Sequence, residues 1–378
     1  MGLRLLLLAA VTAALALGLT ASASAKRTVP RNFFGAVFDG YAPTASPEAQ
    51  SRHFSLMAKS GVESARVTFP WTAIEPTKNR FDFDRTDRTV TAAASHRVEV
   101  LPVLLYTPYW ARVNKHNAYS PPKHNAYFDT LLKKLIQRYG PKGSFWTAHP
   151  ELPKRPIRNW QIWNEPNNDI ERYWDAPRGS RYAWPGGYAR LLRSANKAIK
   201  KYDPKAKTVL AGITGTAWLE LRRLYKFKVR NSFDIAALQV YPETVSREIE
   251  SIKRLRQDLV RAKDSDVRIW VTEVAFPAAK GKTEAINRQK QQTAGGMAGG
   301  VTGLYTRLAR GGRSLAVDRV YWFTWASRYG RNKSAFDFIG LVASSDGEEI
   351  KPEPALAAYR RSARRFQGCV KTVFGLCE

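Results

Sequence analysis

Two glutamates carry the chemistry for which this chain is equipped. Glu165 follows the apolar run Ile157-Arg158-Asn159-Trp160-Gln161-Ile162, inside Trp163-Asn164-Glu165-Pro166. Glu273 closes Val267-Arg268-Ile269-Trp270-Val271-Thr272 and precedes Val274-Ala275-Phe276-Pro277. Each acid stands where a strand-like segment gives way to a loop, and each is followed by a loop-forming proline. Two carboxyl groups facing one bond suit the cleavage of a glycosidic acetal. One gives a proton to the leaving oxygen, while the other, ionised, attacks the anomeric carbon or activates water. Glu75 and Glu171 are loop carboxylates that close no strand, so both rank below Glu165 for the acid's role.

The elements that position this pair are legible as an alternation. Strand candidates are Asn32–Phe38, Ser64–Phe69, Val98–Leu105, Ile157–Trp163, Thr208–Ile213, Ile235–Val240, Arg268–Thr272 and Arg319–Trp325. Most are rich in Val, Ile, Leu and aromatics, as burial on both faces of a parallel sheet requires. Apolar residues at helical spacing lie between them, over Phe128–Arg138, Tyr188–Tyr202 and Glu250–Ala262, with a last helix over Pro354–Phe366. Pro141 to Pro156 reads as a loop inserted before the fourth strand. Eight β/α units in one run predict an α/β fold, a single-domain (β/α)8 TIM barrel over residues 26–366. An open doubly wound sheet would want a Gly-rich turn after its first strand, and Phe34-Gly35-Ala36-Val37-Phe38 supplies none. The cluster Gly295-Gly296-Met297-Ala298-Gly299-Gly300 falls inside a predicted helix, where close packing explains it better than phosphate binding. In a barrel of eight, the tips of the fourth and seventh strands face each other across the mouth.

With that geometry, the chain resembles the clan of retaining (β/α)8 glycoside hydrolases. Their acid/base follows an Asn on strand four, as in Trp163-Asn164-Glu165-Pro166-Asn167, and their nucleophile ends strand seven, as in Trp270-Val271-Thr272-Glu273. The resemblance runs from Phe34 to about Tyr359. Within the clan it is most similar to the β-xylosidase/α-iduronidase family (family 39) and its bacterial exopolysaccharide-cleaving relatives. Pro141–Trp146 and Gly340-Leu341 support that placement. The resemblance implies Glu165 as acid/base, Glu273 as nucleophile and Asn164 as the partner of the sugar 2-hydroxyl. It implies that Arg66 holds Glu273 ionised, that Tyr241 hydrogen-bonds it, and that Trp325 forms the apolar floor under the ring. One departure is Gln239, which stands where many members have His and alters the polarity of the subsite. Asp39, at the first strand tip, is a further, weaker candidate for a substrate contact. Trp71, Tyr109, Trp110 and Trp174, in or near post-strand loops, are candidates for stacking on sugars. No metal or cofactor is implied.

Bulk properties set the surroundings. Arg4, the apolar stretch Leu5 to Leu19 and the small-residue site Ala23-Ser24-Ala25 read as a secretory signal peptide over residues 1–25. A soluble, exported chain without stable membrane insertion is therefore expected. Cys369 and Cys377, the only cysteines, suit a disulfide that pins the C-terminal tail. Lys and Arg number 61 against 32 Asp and Glu, a net charge of +29. Such a surface attracts anionic polymers. The basic residues are scattered and match no nucleic-acid-binding motif, so nucleic acid is not an expected partner. The expected partner is a carbohydrate, with an anionic polysaccharide favoured by the charge. A rival reading is a non-catalytic barrel that binds carbohydrate or cell wall through its aromatic cleft.

Overall fold

All eight strand segments form and pair in parallel into one closed sheet. The structure is a computed structural model that describes residues 26–168, 174, 184–283, 291–327, 334–368, 372–373 and 376–377. The strands are β1 (Phe34–Phe38), β2 (Ser64–Pro70), β3 (Glu99–Leu105), β4 (Asn159–Ile162), β5 (Lys207–Val209, resumed at Ile213–Thr214), β6 (Ile235–Gln239), β7 (Arg268–Val274) and β8 (Val317–Trp322). Each pairs with its neighbours in sequence, and β8 pairs with β1 to close the ring. The fold is a (β/α)8 barrel, and β1 and β6 are buried along their whole length, as a sheet covered by helices requires.

The helices lay their apolar stripes on this sheet. Trp184–Tyr202 buries Tyr188, Leu191, Leu192, Ala195 and Ile199, and Val245–Arg261 buries Ile249, Ile252, Leu255 and Leu259. Pro354–Gln367 ends the barrel, and its Tyr359 hydroxyl donates to Gly35 O at 3.1 Å. The insertion before β4 contains a short helix, Ser144–Ala148, anchored where the Trp146 indole N–H donates to Tyr139 O at 3.0 Å.

Three differences from the sequence reading have physical causes. The fifth strand is interrupted at Leu210–Gly212 because the Gln239 side chain crosses there. A Cβ on Gly212 would lie 2.1 Å from the Gln239 amide carbon, so only glycine fits. β7 runs on to Val274, which places Glu273 inside the strand, one residue before its end. β8 stops at Trp322, after which the chain turns outward and Trp325 N donates to Val37 O at 2.8 Å. In the helix Ala294–Leu315 that holds the glycine cluster, Gly300 is the tight position, since a Cβ there would meet the Phe276 ring at 2.7 Å, whereas Gly299 faces open space. Residues 1–25, Glu171 and Cys369 lie outside the described residues, and so does the expected disulfide.

Candidate active site

β2, β4, β6 and β7 bring their polar side chains together at and just inside the C-terminal mouth of the barrel. Arg66 sits mid-strand on β2 and is 4% exposed. Its guanidinium is fully engaged: Nη1 donates to Glu273 Oε1 at 2.7 Å, Nη2 to Asn164 Oδ1 at 2.6 Å, and Nε to Gln161 Oε1 at 2.7 Å. The fork therefore ties β2 to β7 and β4 at once, which a flexible ammonium would not do. Gln161 is held in turn by its own donation to Leu210 O at 3.2 Å.

Glu273 accepts three hydrogen bonds. Besides Arg66, Gln239 Nε2 donates to Oε1 at 3.0 Å, and the Tyr241 hydroxyl donates to Oε2. A carboxylate with this many donors is fixed in orientation. The Tyr241 hydroxyl itself is pushed well above its ordinary pKa, by burial first and then by the charges of Glu273 and Glu165. Tyr241 thus remains a donor at any working pH, and both glutamates lie within electrostatic reach of it.

The strand-four motif is built with equal care. Asn164 Oδ1 accepts from both Arg66 Nη2 and Gln239 Nε2, the latter at 2.9 Å. Because the oxygen is taken by two donors, the amide nitrogen is the end left to donate to a ligand. Gln239, at the position where the resemblance implies a histidine, donates to Asn164 and Glu273 and so orients the two together. Glu165 N donates to Gly212 O at 3.0 Å, and Asn167 closes the turn by exchanging two bonds with Thr214. Asn168 Nδ2 donates to Glu165 Oε2 at 2.9 Å. Trp163 (φ +73°) and Glu165 (φ +40°) both adopt left-handed backbone. For non-glycine residues this costs about 1–3 kcal/mol each, and such strain clusters at functional sites. Glu165 and Glu273 are largely buried, 9% and 7% exposed.

Several aromatic assignments change. Trp325 does not line the cleft: it has no exposed surface, and its indole N–H donates 2.9 Å to His53 Nδ1 behind the barrel wall. A side chain without accessible surface cannot be the floor under a sugar. The aromatic wall beside Tyr241 and Glu273 is formed by Phe323 and Phe336, with ring centroids 5.8 and 5.1 Å from that of Tyr241. Phe336 is 48% exposed. Neither Phe323 nor Phe336 was singled out by the sequence, nor was Gln161. Phe323 lay inside the expected eighth strand, and its position two residues before Trp325 was the available signal.

Trp71 is fully buried, and its N–H donates to Glu75 Oε2 at 2.8 Å. Glu75 is itself 1% exposed, which makes it a partner of Trp71 and no rival acid. Trp110 is half-buried, packs edge-on against Trp71 and donates to Glu75 O at 3.0 Å. Trp174 packs against Trp163. Asp39 is half-buried at the end of β1 and accepts from the Thr324 hydroxyl. Tyr109 alone of the four candidate stacking residues is well exposed.

Comparison with known proteins agrees with this architecture. The glycosyl hydrolase family 42 (beta-galactosidase) model matches residues 40–122. No curated protein sequence matches the chain. Among solved structures it is similar to a family 39 glycoside hydrolase from the gut symbiont Bacteroides cellulosilyticus, with a TM-score of 0.68 at 16% identity over 90% of this chain. It is similar to a family 39 enzyme from Xanthomonas axonopodis pv. citri (TM-score 0.65, 15% identity, 89% of this chain, 67% of that one). A monomeric beta-xylosidase from Caulobacter crescentus gives a TM-score of 0.63 at 14% identity, over 89% of this chain and 69% of that one. The chain spans 64% of the length of the Bacteroides enzyme. The fold is thus the (β/α)8 barrel shared by these solved glycoside hydrolases. The likeness to family 39 read from the two glutamate motifs recurs in these structural neighbours.

Proposed function

We propose that this chain hydrolyses O-glycosidic bonds of an oligo- or polysaccharide with net retention of configuration. The observation that carries the reading is the cage around Glu273. Arg66, Gln239 and Tyr241 all donate to the carboxylate and hold it aimed, as a nucleophile needs to be. In the first step Glu165 protonates the glycosidic oxygen as Glu273 Oε attacks the anomeric carbon, forming a glycosyl ester and releasing the leaving sugar. In the second, Glu165 takes a proton from water, which attacks the same carbon and frees Glu273. The Asn164 amide, oriented by two donors, bonds the 2-hydroxyl, where binding strengthens as charge develops.

Incubation with activated 2-fluoro glycosides followed by peptide mapping tests this assignment. The expected result is a stable glycosyl adduct on Glu273, with the retained anomer formed first from ordinary aryl glycosides. A first-formed product of inverted configuration would overturn it. The same reading makes the enzyme an exported protein, with residues 1–25 as its signal peptide and Cys369 bonded to Cys377. An exported form whose N-terminus is still Met1 would contradict that part.

A further inference from the structure

The loop after β3 carries a cluster that the catalytic centre does not use. Here the chain folds back on itself: Val113 N donates to Pro121 O at 3.0 Å, and Lys123 N to Ala111 O at 2.8 Å. This hairpin brings Arg112 and Lys115 beside the Tyr109 ring and Lys123 next to Lys115. The Lys115 ammonium lies 4.3 Å from the centre of the Tyr109 ring, and the Arg112 guanidinium carbon 5.7 Å. Tyr109 is nevertheless 63% exposed, more than any other large hydrophobic side chain described.

Three cations on one hairpin repel each other. Partial desolvation, then the Lys123 and Arg112 charges, pull the Lys115 ammonium below its ordinary pKa. Several arginines elsewhere on this basic surface have acidic partners, as Arg138 has Asp87, Arg222 has Asp258 and Arg268 has Asp318. Among the described residues, Arg112, Lys115 and Lys123 pair with no carboxylate. A cluster of like charge with no counter-charge favours any anion that can enter it. The exposed ring adds a face on which a pyranose can stack. The location is the mouth of the barrel: Trp110 in this loop packs on Trp71 after β2, and β3 neighbours β4, which leads into Glu165.

We propose that this hairpin is a subsite for a carboxylate-bearing sugar unit, stacked on Tyr109 and neutralised by Arg112, Lys115 and Lys123. The inference rests on the hydrolase reading above and narrows its substrate to an acidic, uronate-containing polysaccharide.

Binding is measured separately from turnover, using the Glu273→Gln protein and affinity electrophoresis in gels containing polygalacturonate, alginate or carboxyl-reduced polygalacturonate. The triple replacement Arg112→Gln, Lys115→Gln, Lys123→Gln is compared with a control that removes the same charge far from the loop, Lys142→Gln, Lys154→Gln, Lys205→Gln. Thermal unfolding of both shows that they fold. The loop triple is expected to weaken polyuronate binding about tenfold more than the control, and the effect should shrink as salt screens it. Tyr109→Ala is expected to weaken binding of the acidic and the reduced polymer alike, while the loop triple spares the reduced one. Equal weakening by the two triples, or no binding of either polyuronate by the parent protein, overturns the subsite. Adduct formation on Glu273 by 2-fluoro glycosides is read in the unmodified enzyme, so the hydrolase assignment stands or falls on its own.

Discussion

Arg66 and Glu273 form a 2.7 Å ion pair within the barrel mouth, with side chains only 4% and 9% exposed. The pair joins β2 to β7, and the same guanidinium reaches Asn164 and Gln161 on the β4 side. Removing one partner of a buried pair leaves an uncompensated charge and costs about 3–5 kcal/mol. Arg66→Met is therefore expected to lower kcat/KM by roughly 10²–10³-fold, an effect of the size seen when an aimed donor is lost. It should also lower the unfolding temperature. Arg66→Lys keeps the charge but not the fork, so it should recover stability more than activity. Steady-state kinetics on aryl glycosides and thermal unfolding measure the two. Full activity in the methionine variant would show that Glu273 is not the reacting carboxylate.

Tyr241 bears on Glu273 from the other side, through Oε2. Its hydroxyl stays protonated because burial and two nearby carboxylates raise its pKa. The alkaline limb of the pH–rate profile therefore does not come from this residue. Tyr241→Phe is expected to reduce kcat about 10- to 100-fold by freeing one oxygen of Glu273, while leaving the shape of the alkaline limb unchanged. A variant whose alkaline limb vanished would contradict the assigned protonation state.

The two large aromatics after β8 separate a core role from a cleft role. The Trp325 N–H needs an acceptor at His53 Nδ1, and His53 Nε2 donates to Gly347 O at 2.9 Å. That pattern fixes a neutral imidazole, which agrees with the lowering of the His53 pKa by burial. Trp325→Ala is expected to cost about 3–5 kcal/mol of stability as a core truncation. Phe336→Ala, at a half-exposed ring beside Tyr241, should instead raise KM several-fold with little change in unfolding temperature. If Trp325→Phe changed KM while Phe336→Ala did not, the wall would have been assigned to the wrong residue.

That contrast also marks what the sequence reveals. The eight strands are legible because parallel, doubly covered strands are written as short apolar runs, and Glu165, Glu273, Arg66 and Tyr241 stand out as polar residues at their ends or within them. Trp325 does not stand out in that way. An aromatic after a strand reads the same whether it faces the mouth or the helix layer, and a strand that ends three residues early changes which face it occupies. Gln239 reads as a lost histidine, yet its amide bonds two partners at once, and it can do so only because Gly212, remote in sequence, clears its path. No local pattern encodes such a clearance.

Glu248 provides a test that is independent of catalysis. It lies on the helix Val245–Arg261, fully buried, and among the described residues neither carboxyl oxygen has a hydrogen-bond partner. Burial pushes its pKa well above the ordinary 4.5. The folded state then holds the proton to higher pH than the unfolded state does. The stability tied to this group is complete below about pH 4.5 and is lost as pH rises towards the folded value. Glu248→Gln cannot ionise and keeps the shape, so it should be the more stable protein at pH 8, by about 1–3 kcal/mol for a buried polar group relieved of its charge. The advantage should shrink steadily as the pH is lowered to 4.5. Unfolding temperatures taken across that range decide the matter, and a gain of constant size at every pH would mean that Glu248 does not bury a proton.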